Sequence, residues 1–257
     1  MGAHVSQTDL SGSVTPGTVV VVTGGARGIG AGLSRHLASQ GAAVVTADVV
    51  EATEDTDGLD ITHLRADVSD ESSWQELVAA TLARHGRIDA LVNNAAIYAG
   101  LGAKRPFTDI TVEEWDRVMA VNTRGVWLGM RAVHPVMKAQ GRGRVVNIAS
   151  STVHAGVPYF AHYTASKGAV IALTRSVARE VGADGITVNA IAPGLVETDA
   201  TRALNDADYL AASAGRRAVP RPMEPDDLAP VVSFLCSDGS GFMTGQTLIV
   251  DGGVTFS

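Results

Sequence analysis

Seven short apolar runs alternate along the chain with segments that have helical spacing. The runs cover residues 18–24, 42–48, 62–68, 89–96, 143–150, 185–193 and 246–253. Several, such as TVVVVTG and GRVVNIAS, are continuously apolar rather than alternating, which is typical of strands buried on both faces of a parallel sheet. The sequence therefore predicts an α/β fold with a doubly wound, mainly parallel seven-stranded sheet and helices on both faces.

The segments between these runs repeat apolar residues at the three- and four-residue spacing of a helix. Three of them, 29–37, 74–82 and 163–181, lead to a glycine that predicts the end of the helix. A fourth, 115–122, follows the capping box Thr111-x-x-Glu114, which predicts a helix start. In a doubly wound sheet, ligands bind beyond the carboxyl ends of the strands, so we expect the functional residues at that edge.

Composition excludes several classes of protein. The chain has 257 residues without a repeat or a linker-like stretch, so we expect one domain, 17–257, after a flexible polar tail, 1–16. A net charge of −7 without a Lys/Arg cluster argues against a nucleic-acid partner. No apolar run approaches the roughly 18 residues of a membrane span. The single cysteine, Cys236, fits a reducing cytoplasm, and the seven histidines lack metal-ligand spacing, so no metal is expected.

TGGARGIG, residues 23–30, joins the first apolar run to the first helical segment. A glycine-rich turn at a helix N-terminus allows the backbone to approach a pyrophosphate closely. The glycines do not have the G-x-G-x-x-G spacing, and the absence of a following Gly-Lys-Ser/Thr excludes a P-loop. The turn predicts a dinucleotide site that includes Gly24, Arg27, Gly28, Ile29 and Gly30.

Asp48 ends the second apolar run, where the adenosine ribose of a dinucleotide is expected. A carboxylate there accepts hydrogen bonds from the ribose hydroxyls and repels a 2′-phosphate. Arg27 has the opposite effect, because a cation beside the glycines attracts that phosphate. We expect Asp48 to dominate, which predicts NAD rather than NADP; an aspartate that only caps a turn is the alternative.

YTASK, residues 163–167, places Tyr163 and Lys167 four positions apart on one face of a predicted helix. In isolation, such a pair is usually a surface contact in which the lysine stem covers the ring. The other motifs of the chain change this interpretation.

With TGGARGIG, NNAA (93–96), Asn122, Ser150, YTASK and PGLVET (193–198) in this order, the sequence resembles the short-chain dehydrogenase/reductase family from about Val19 to Gly253. The resemblance implies a Rossmann fold, an NAD(P)-dependent oxidoreductase acting on CH–OH groups, and a homotetramer. It implies the catalytic tetrad Asn122, Ser150, Tyr163 and Lys167. It also implies cofactor contacts from Asp67, Val68, Asn94, Ala95, Tyr163, Lys167, Pro193, Gly194, Val196 and Thr198. Ala96 stands where the family usually has glycine, away from any reacting group.

The residue types of the tetrad suit proton transfer. A phenol has a pKa of about 10, so we expect Lys167 and an oxidised nicotinamide to lower the pKa of Tyr163. Ser150 can hold the substrate oxygen; a nucleophilic serine is disfavoured because no G-x-S-x-G elbow is present. In the family, Asn122 holds a water that links Lys167 to solvent. The alternative is a polar residue that satisfies a neighbouring backbone group.

Three segments, 97–101, 152–160 and 195–222, are expected to frame an apolar substrate pocket, the last as a lid. The expected lining residues are Ile97, Tyr98, His154, Tyr159 and Leu195. Tyr159 and Phe160 have the alternative of packing within a loop or a subunit contact. His162 is expected on the helix surface.

These features predict NAD-dependent hydride transfer to or from the carbonyl/alcohol carbon of a small, mostly apolar secondary alcohol or ketone, with Tyr163 as acid/base. One alternative is a 3-oxoacyl-[acyl-carrier-protein] or 3-oxoacyl-CoA reductase. An acidic carrier protein requires a basic rim, for which the candidates are Arg202, Arg216, Arg217 and Arg221. Another alternative is a non-catalytic nucleotide-binding regulator on the same fold.

Overall fold

A single parallel sheet forms the centre of the protein in the computed structural model, which describes residues 12–52, 56 and 58–256. Its strands are β1 (Val19–Thr23), β2 (Ala43–Asp48), β3 (Ile61–Arg65), β4 (Ala90–Asn93), β5 (Gly143–Ile148), β6 (Ile186–Pro193) and β7 (Thr247–Val250). The strand order is β3-β2-β1-β4-β5-β6-β7, and each neighbouring pair is parallel. The predicted doubly wound sheet is confirmed.

Helices cover both faces of the sheet. They are α1 (Gly28–Ser39), α2 (Glu71–His85), α3 (Val112–Met119), α4 (Gly125–Gln140), α5 (Thr152–Ala155), α6 (Ala161–Val181), α7 (Asp199–Leu204), α8 (Ala207–Gly215) and α9 (Ala229–Cys236). Short 3₁₀ turns occur at Ala99–Leu101, Phe107–Asp109, Gly182–Asp184, Pro225–Asp227 and Asp238–Ser240. The apolar faces of α2, α4 and α6 pack on one side of the sheet, and those of α1 and α9 pack on the other.

The chain reverses its winding direction between β1 and β4. From β1 it proceeds outward through β2 to β3, then crosses back so that β4 pairs with the other edge of β1. The carboxyl ends of β1 and β4 therefore open a crevice between the connections that follow them, which is where such sheets bind ligands. The glycine turn at 24–28 and the NNAA segment border this crevice.

Helix α6 is fixed to the sheet by buried amides. Asn93 of β4 donates to Asn147 of β5 at 2.8 Å, and Asn147 donates in turn to the Thr174 hydroxyl at 3.0 Å. All three side chains are buried, so each side chain in this hydrogen-bonded series depends on its neighbour for a partner. The bonds hold the helix that carries YTASK against the middle of the sheet.

Three local predictions differ from the structure. The segment predicted as one helix through 115–122 is interrupted, because a π-helical turn, Ala120–Arg124, joins α3 to α4. Thr111 does accept a hydrogen bond from the Glu114 amide, but the Glu114 carboxylate pairs with Arg105 and His162 instead of completing the capping box. Val14 belongs to the tail predicted for residues 1–16, yet it is buried in the core; residues 1–11 lie outside the described part of the chain.

Candidate active site

The glycine turn after β1 is packed too closely for side chains. Gly24 has φ +64°, and a Cβ there would lie 2.8 Å from the Cα of Ala95. A Cβ on Gly30 would lie 2.0 Å from the Gly24 carbonyl oxygen, so the first turn of α1 rests directly on the glycine turn. The glycines therefore keep backbone, not side chains, at the crevice, as the dinucleotide hypothesis requires.

Asn94 and Thr23 hold this turn in place. The Asn94 amide donates to the carbonyls of Thr23 and Gly24 at 2.9 and 3.1 Å. The Thr23 hydroxyl accepts from the backbone N–H groups of Asn94 and Ala95 at 3.0 and 3.1 Å. Asn94 thus acts on the cofactor crevice through the backbone. Thr23 was missed in the sequence because a threonine at the end of a strand carries no distinctive signal.

Asp48 lies beside the glycine turn. Its Oδ2 accepts from the Ala26 backbone N–H at 3.1 Å, which fixes the carboxylate at the edge of the crevice. Arg27, which follows Ala26 in the chain, is exposed and extends from the same glycine turn. Asp67 is exposed and accepts hydrogen bonds from Ser69, while Val68 is buried. Both acidic residues therefore lie at the edge that the sequence predicted.

The segment after β6 faces the glycine turn. Pro193 ends the strand, Val196 is buried, and Thr198 caps α7 through the Thr201 amide. A Cβ on Gly28 would meet the Thr198 side chain at 3.7 Å, so the two segments lie next to each other. Backbone at the turn, an acidic side chain at its edge and an adjoining segment together fit a dinucleotide.

Tyr163 and Lys167 project from one face of α6 into the interior. Lys167 is 2% exposed, and its ammonium donates to the Ile148 carbonyl at 2.7 Å and lies 5.8 Å from the centre of the Tyr163 ring. The Ser150 hydroxyl, after β5, lies near the Tyr163 phenol, where it opposes the rise of the Tyr163 pKa that burial causes. The structure thus brings Ser150, Tyr163 and Lys167 together at the crevice, and the surface-pair interpretation of YTASK is wrong.

Asn122 lies in the π-helical turn between α3 and α4, and is completely buried. Its side chain accepts from the Ile97 backbone N–H at 2.8 Å and donates to the Ile97 carbonyl at 3.3 Å and to the Ser166 hydroxyl at 3.2 Å. π-Helical turns occur frequently at functional sites. The π-helical turn thus directs the side-chain amide of Asn122 toward the backbone of Ile97 and toward Ser166 of α6.

An apolar wall stands beside Tyr163. Phe160 stacks on the Tyr163 ring at 4.7 Å, and Tyr98 contacts both rings edge-on at 5.7 and 5.4 Å. Leu101, Val118 and Ile97 complete the cluster. We call Tyr98 and Phe160 the aromatic wall.

Three other expected lining residues lie outside this apolar cluster. Tyr159 is 59% exposed, and with φ +61° its backbone turns the side chain outward while Phe160 turns inward. His154 on α5 is also exposed, and Leu195 is half-buried with its carbonyl bound by Arg217. His162 is buried rather than on the helix surface, because it pairs with Glu114.

The 195–222 segment is folded over the 97–104 segment. The Lys104 ammonium donates to the Tyr209 hydroxyl at 2.9 Å, and Asn205 lies near the Tyr98 hydroxyl, whose pKa burial raises and Asn205 lowers. These contacts join α7 and α8 to the aromatic wall, as expected of a lid. Sequence reasoning missed Lys104, Asn205 and Tyr209, since each has a partner about 100 residues away.

Comparisons with known proteins agree with this arrangement. A family model described as Enoyl-(Acyl carrier protein) reductase matches residues 24–255. The chain is 39% identical to 3-alpha-(or 20-beta)-hydroxysteroid dehydrogenase of Mycobacterium bovis over 243 residues, which cover 92% of this chain and 89% of that protein. It is 40% identical to cis-4-hydroxycyclohexanecarboxylate dehydrogenase of Sinomonas cyclohexanicum over 243 residues, covering 92% and 96%. The crystal structure of levodione reductase matches with a TM-score of 0.83 and 33% identity, covering 93% of this chain and 97% of that one.

The chain belongs to the short-chain dehydrogenase/reductase family. It is therefore an oxidoreductase of alcohol or ketone groups, and its cofactor is a nicotinamide dinucleotide, NAD(P). The crevice at the carboxyl edge of the sheet, with its glycine turn, fits that cofactor. No group of metal-ligating side chains and no helix able to span a membrane occurs within the described residues.

Burial shifts Tyr163 and Lys167 of this short-chain dehydrogenase/reductase toward their neutral forms. It raises the pKa of Tyr163, an effect to which Tyr98 adds and which the nearby Ser150 hydroxyl opposes. It lowers the pKa of Lys167 to about 8. Burial dominates the pKa of Tyr163 in the protein without cofactor, so the expectation that Lys167 and an oxidised nicotinamide together lower this pKa stays a prediction for the cofactor-bound enzyme.

The shift of Lys167 predicts a pH-dependent stability. The folded pKa of about 8 lies below the ordinary value of 10.5, so between these values the unfolded chain binds more protons. The contribution of Lys167 to the free energy of unfolding is therefore present above pH 10.5 and is lost as the pH falls toward 8. Urea unfolding at pH 7 to 10 should show wild type gaining stability relative to Lys167→Met as the pH rises, by at most about 1.4 kcal/mol per pH unit. Lys138→Met, at an exposed lysine, is the control without this trend; a constant difference for Lys167→Met would contradict the assignment.

Proposed function

We propose that this short-chain dehydrogenase/reductase uses NAD to transfer hydride to or from the carbonyl/alcohol carbon of a small, mostly apolar secondary alcohol or ketone. The observation that carries the proposal is the buried Tyr163 phenol, which lies beside Lys167 and Ser150 and against the aromatic wall. Two relatives are named for a hydroxysteroid and a hydroxycyclohexanecarboxylate, each a secondary alcohol that contains an apolar ring system. Their names support the same substrate chemistry here.

Proton transfer falls to the residues of the chain. When bound, the nicotinamide supplies or accepts the hydride. In the reducing direction, the Tyr163 hydroxyl donates its proton to the carbonyl oxygen, which becomes the hydroxyl of the product. In the oxidising direction, the phenolate oxygen of Tyr163 takes the proton of the substrate hydroxyl. Ser150 hydrogen-bonds the same substrate oxygen, and Lys167, when protonated, favours the phenolate.

A carrier-protein substrate is less well supported by the charges near the lid. Three of the four arginines considered for a basic rim bind groups of the chain itself. Arg202 pairs with Glu197, Arg221 pairs with Asp227, and the buried Arg217 donates to backbone carbonyls. A small, uncharged substrate suits this surface better than an acidic protein.

The role of Tyr163 is tested by Tyr163→Phe, which keeps the ring in the aromatic cluster and removes the acid/base hydroxyl. We expect turnover of secondary alcohols to fall on the order of 100-fold or more. The affinity for NAD, measured by quenching of tryptophan fluorescence, should stay within twofold. Tyr159→Phe, the same substitution at an exposed ring four residues earlier, serves as the control. Near-normal turnover in Tyr163→Phe would contradict the mechanism.

The preference for NAD is tested at Asp48. If its carboxylate holds the adenosine ribose, wild type should favour NAD over NADP by at least about tenfold in kcat/KM, equivalent to about 1.4 kcal/mol. Asp48→Ala should lower kcat/KM with NAD and raise it with NADP, since both the acceptor and the repulsion are lost. Glu51→Ala removes an exposed charge three residues after Asp48. It should leave the ratio of kcat/KM with NAD to kcat/KM with NADP unchanged. A wild type that prefers NADP would show that Arg27, not Asp48, decides.

The quaternary structure that we propose is a homotetramer. The outer face of α6 presents small residues, Ala165, Ala169 and Ala172, which permit close helix packing, and Trp127 of α4 is 42% exposed. Light scattering after size-exclusion chromatography should give four chains. Ala172→Arg should reduce the assembly, whereas Glu76→Arg on the exposed face of α2 should not. A stable wild-type monomer at micromolar concentration would contradict the proposal.

A further inference from the structure

Glu114 of α3 binds cationic or donor side chains from two other segments. His162 Nε2 lies 3.1 Å from Oε1 of Glu114, and the Arg105 guanidinium pairs with Oε2. The side chains of Glu114 and His162 are only 12% and 4% exposed, and that of Arg105 is 32% exposed. One carboxylate thus joins α3, the start of α6 and the segment that follows β4.

Arg105 extends this connection to both parts of the aromatic wall. Its guanidinium donates to the Leu101 carbonyl at 3.1 Å, within the segment that carries Tyr98. Its backbone N–H donates to the Tyr159 carbonyl at 3.2 Å. Tyr159 has a positive φ, which non-glycine residues seldom adopt, so its conformation depends on the surrounding contacts. Arg105 therefore holds the turn that directs Phe160 inward.

His162 connects the carboxylate to the reacting side chain. It directly precedes Tyr163 on α6, and its ring contacts the Phe160 ring edge-on at 5.9 Å. Burial and the neighbouring cations Arg105 and Arg117 lower the pKa of His162. A neutral imidazole then donates its Nε2 proton to Glu114, while Arg105 balances the charge of the carboxylate. Hydrogen bonds to an ionised carboxylate are stronger than neutral ones and are costly to break when buried.

We propose that Glu114 is a positioning residue: through Arg105 and His162 it holds the aromatic wall against Tyr163 and so limits the size of the alcohol or ketone that reaches it. Ile97 and Tyr98 on one side and Phe160 on the other are fixed by separate parts of the chain. Glu114 is the group to which both parts are tied. The inference about substrate size rests on the proposed function.

The test compares Glu114→Gln with Glu113→Gln, because Glu113 is the neighbouring exposed carboxylate on the same helix. Glu114→Gln keeps the side-chain volume and an acceptor for His162, but it loses the ion pair with Arg105. The substrates are a small alcohol, cyclopentanol, and a bulky one, 4-tert-butylcyclohexanol. We expect Glu114→Gln to lower kcat/KM for cyclopentanol on the order of tenfold, less than the 10²-fold that a 1 Å misplacement can cost. The relative preference for the bulky alcohol should rise, and the dissociation constant for NAD should not change.

A double-mutant cycle locates the effect. If Glu114 acts through Arg105, then Arg105→Gln and the double variant should resemble Glu114→Gln, with strongly non-additive losses in kcat/KM. A residue that only stabilised α3 would lower the melting temperature and affect both alcohols equally. Equal losses for both alcohols, or additive losses in the cycle, would overturn the proposal.

Hydrogen exchange separates failure of this inference from failure of the proposed function. Amides in peptides covering 97–106 and 156–163 should exchange faster in Glu114→Gln than in wild type or Glu113→Gln, because the tie between these segments is weaker. This readout requires no turnover. A wild type inactive on every secondary alcohol would refute the proposed function, while unchanged exchange in Glu114→Gln would refute the positioning role.

Discussion

Burial of polar groups beneath α6 is the constraint on which the rest of the site depends. The Lys167 ammonium has the Ile148 carbonyl as its partner, and Thr174 has Asn147. Both partners lie on β5, so a shift of the helix along the strand would leave buried donors without acceptors. The position of Tyr163 relative to Ser150 therefore follows from bonds that Tyr163 does not itself make. Packing alone would allow more sliding, because apolar contacts are not directional.

Local patterns in the sequence predicted most of the architecture. Short β-rich runs predicted all seven strands, and several of these runs are continuously apolar because a strand covered on both faces has few polar positions. Gly86 ends α2 in the left-handed conformation that helix ends often require of a glycine, whereas Gly182 follows α6 in a right-handed conformation. The ordered motifs placed Ser150, Tyr163 and Lys167 at one edge of the sheet. In each case the information lies within a few residues, or in the order of the strands.

Properties that depend on distant partners could not be predicted in this way. His162 was expected on the surface because its helical position says nothing of Glu114, which lies 48 residues earlier. The inward turn of Phe160 and the outward turn of Tyr159 depend on one positive φ held by Arg105. The capping box at Thr111 was half right, because the Glu114 carboxylate has stronger charged partners than a backbone amide.

The pKa shifts in the site show why Lys167 and Tyr163 are best considered as one unit. Burial disfavours phenolate and ammonium alike, so each side chain considered alone is driven toward neutrality. The pair has the same net charge whether the proton resides on oxygen or on nitrogen. Moving the proton from Tyr163 to Lys167 therefore creates two opposite charges that stabilise each other, instead of one isolated charge. Two groups coupled in this way share their titration, and apparent pKa values from a pH–rate profile belong to the pair. The closed aromatic wall strengthens this coupling, because attraction between charges grows as water is excluded.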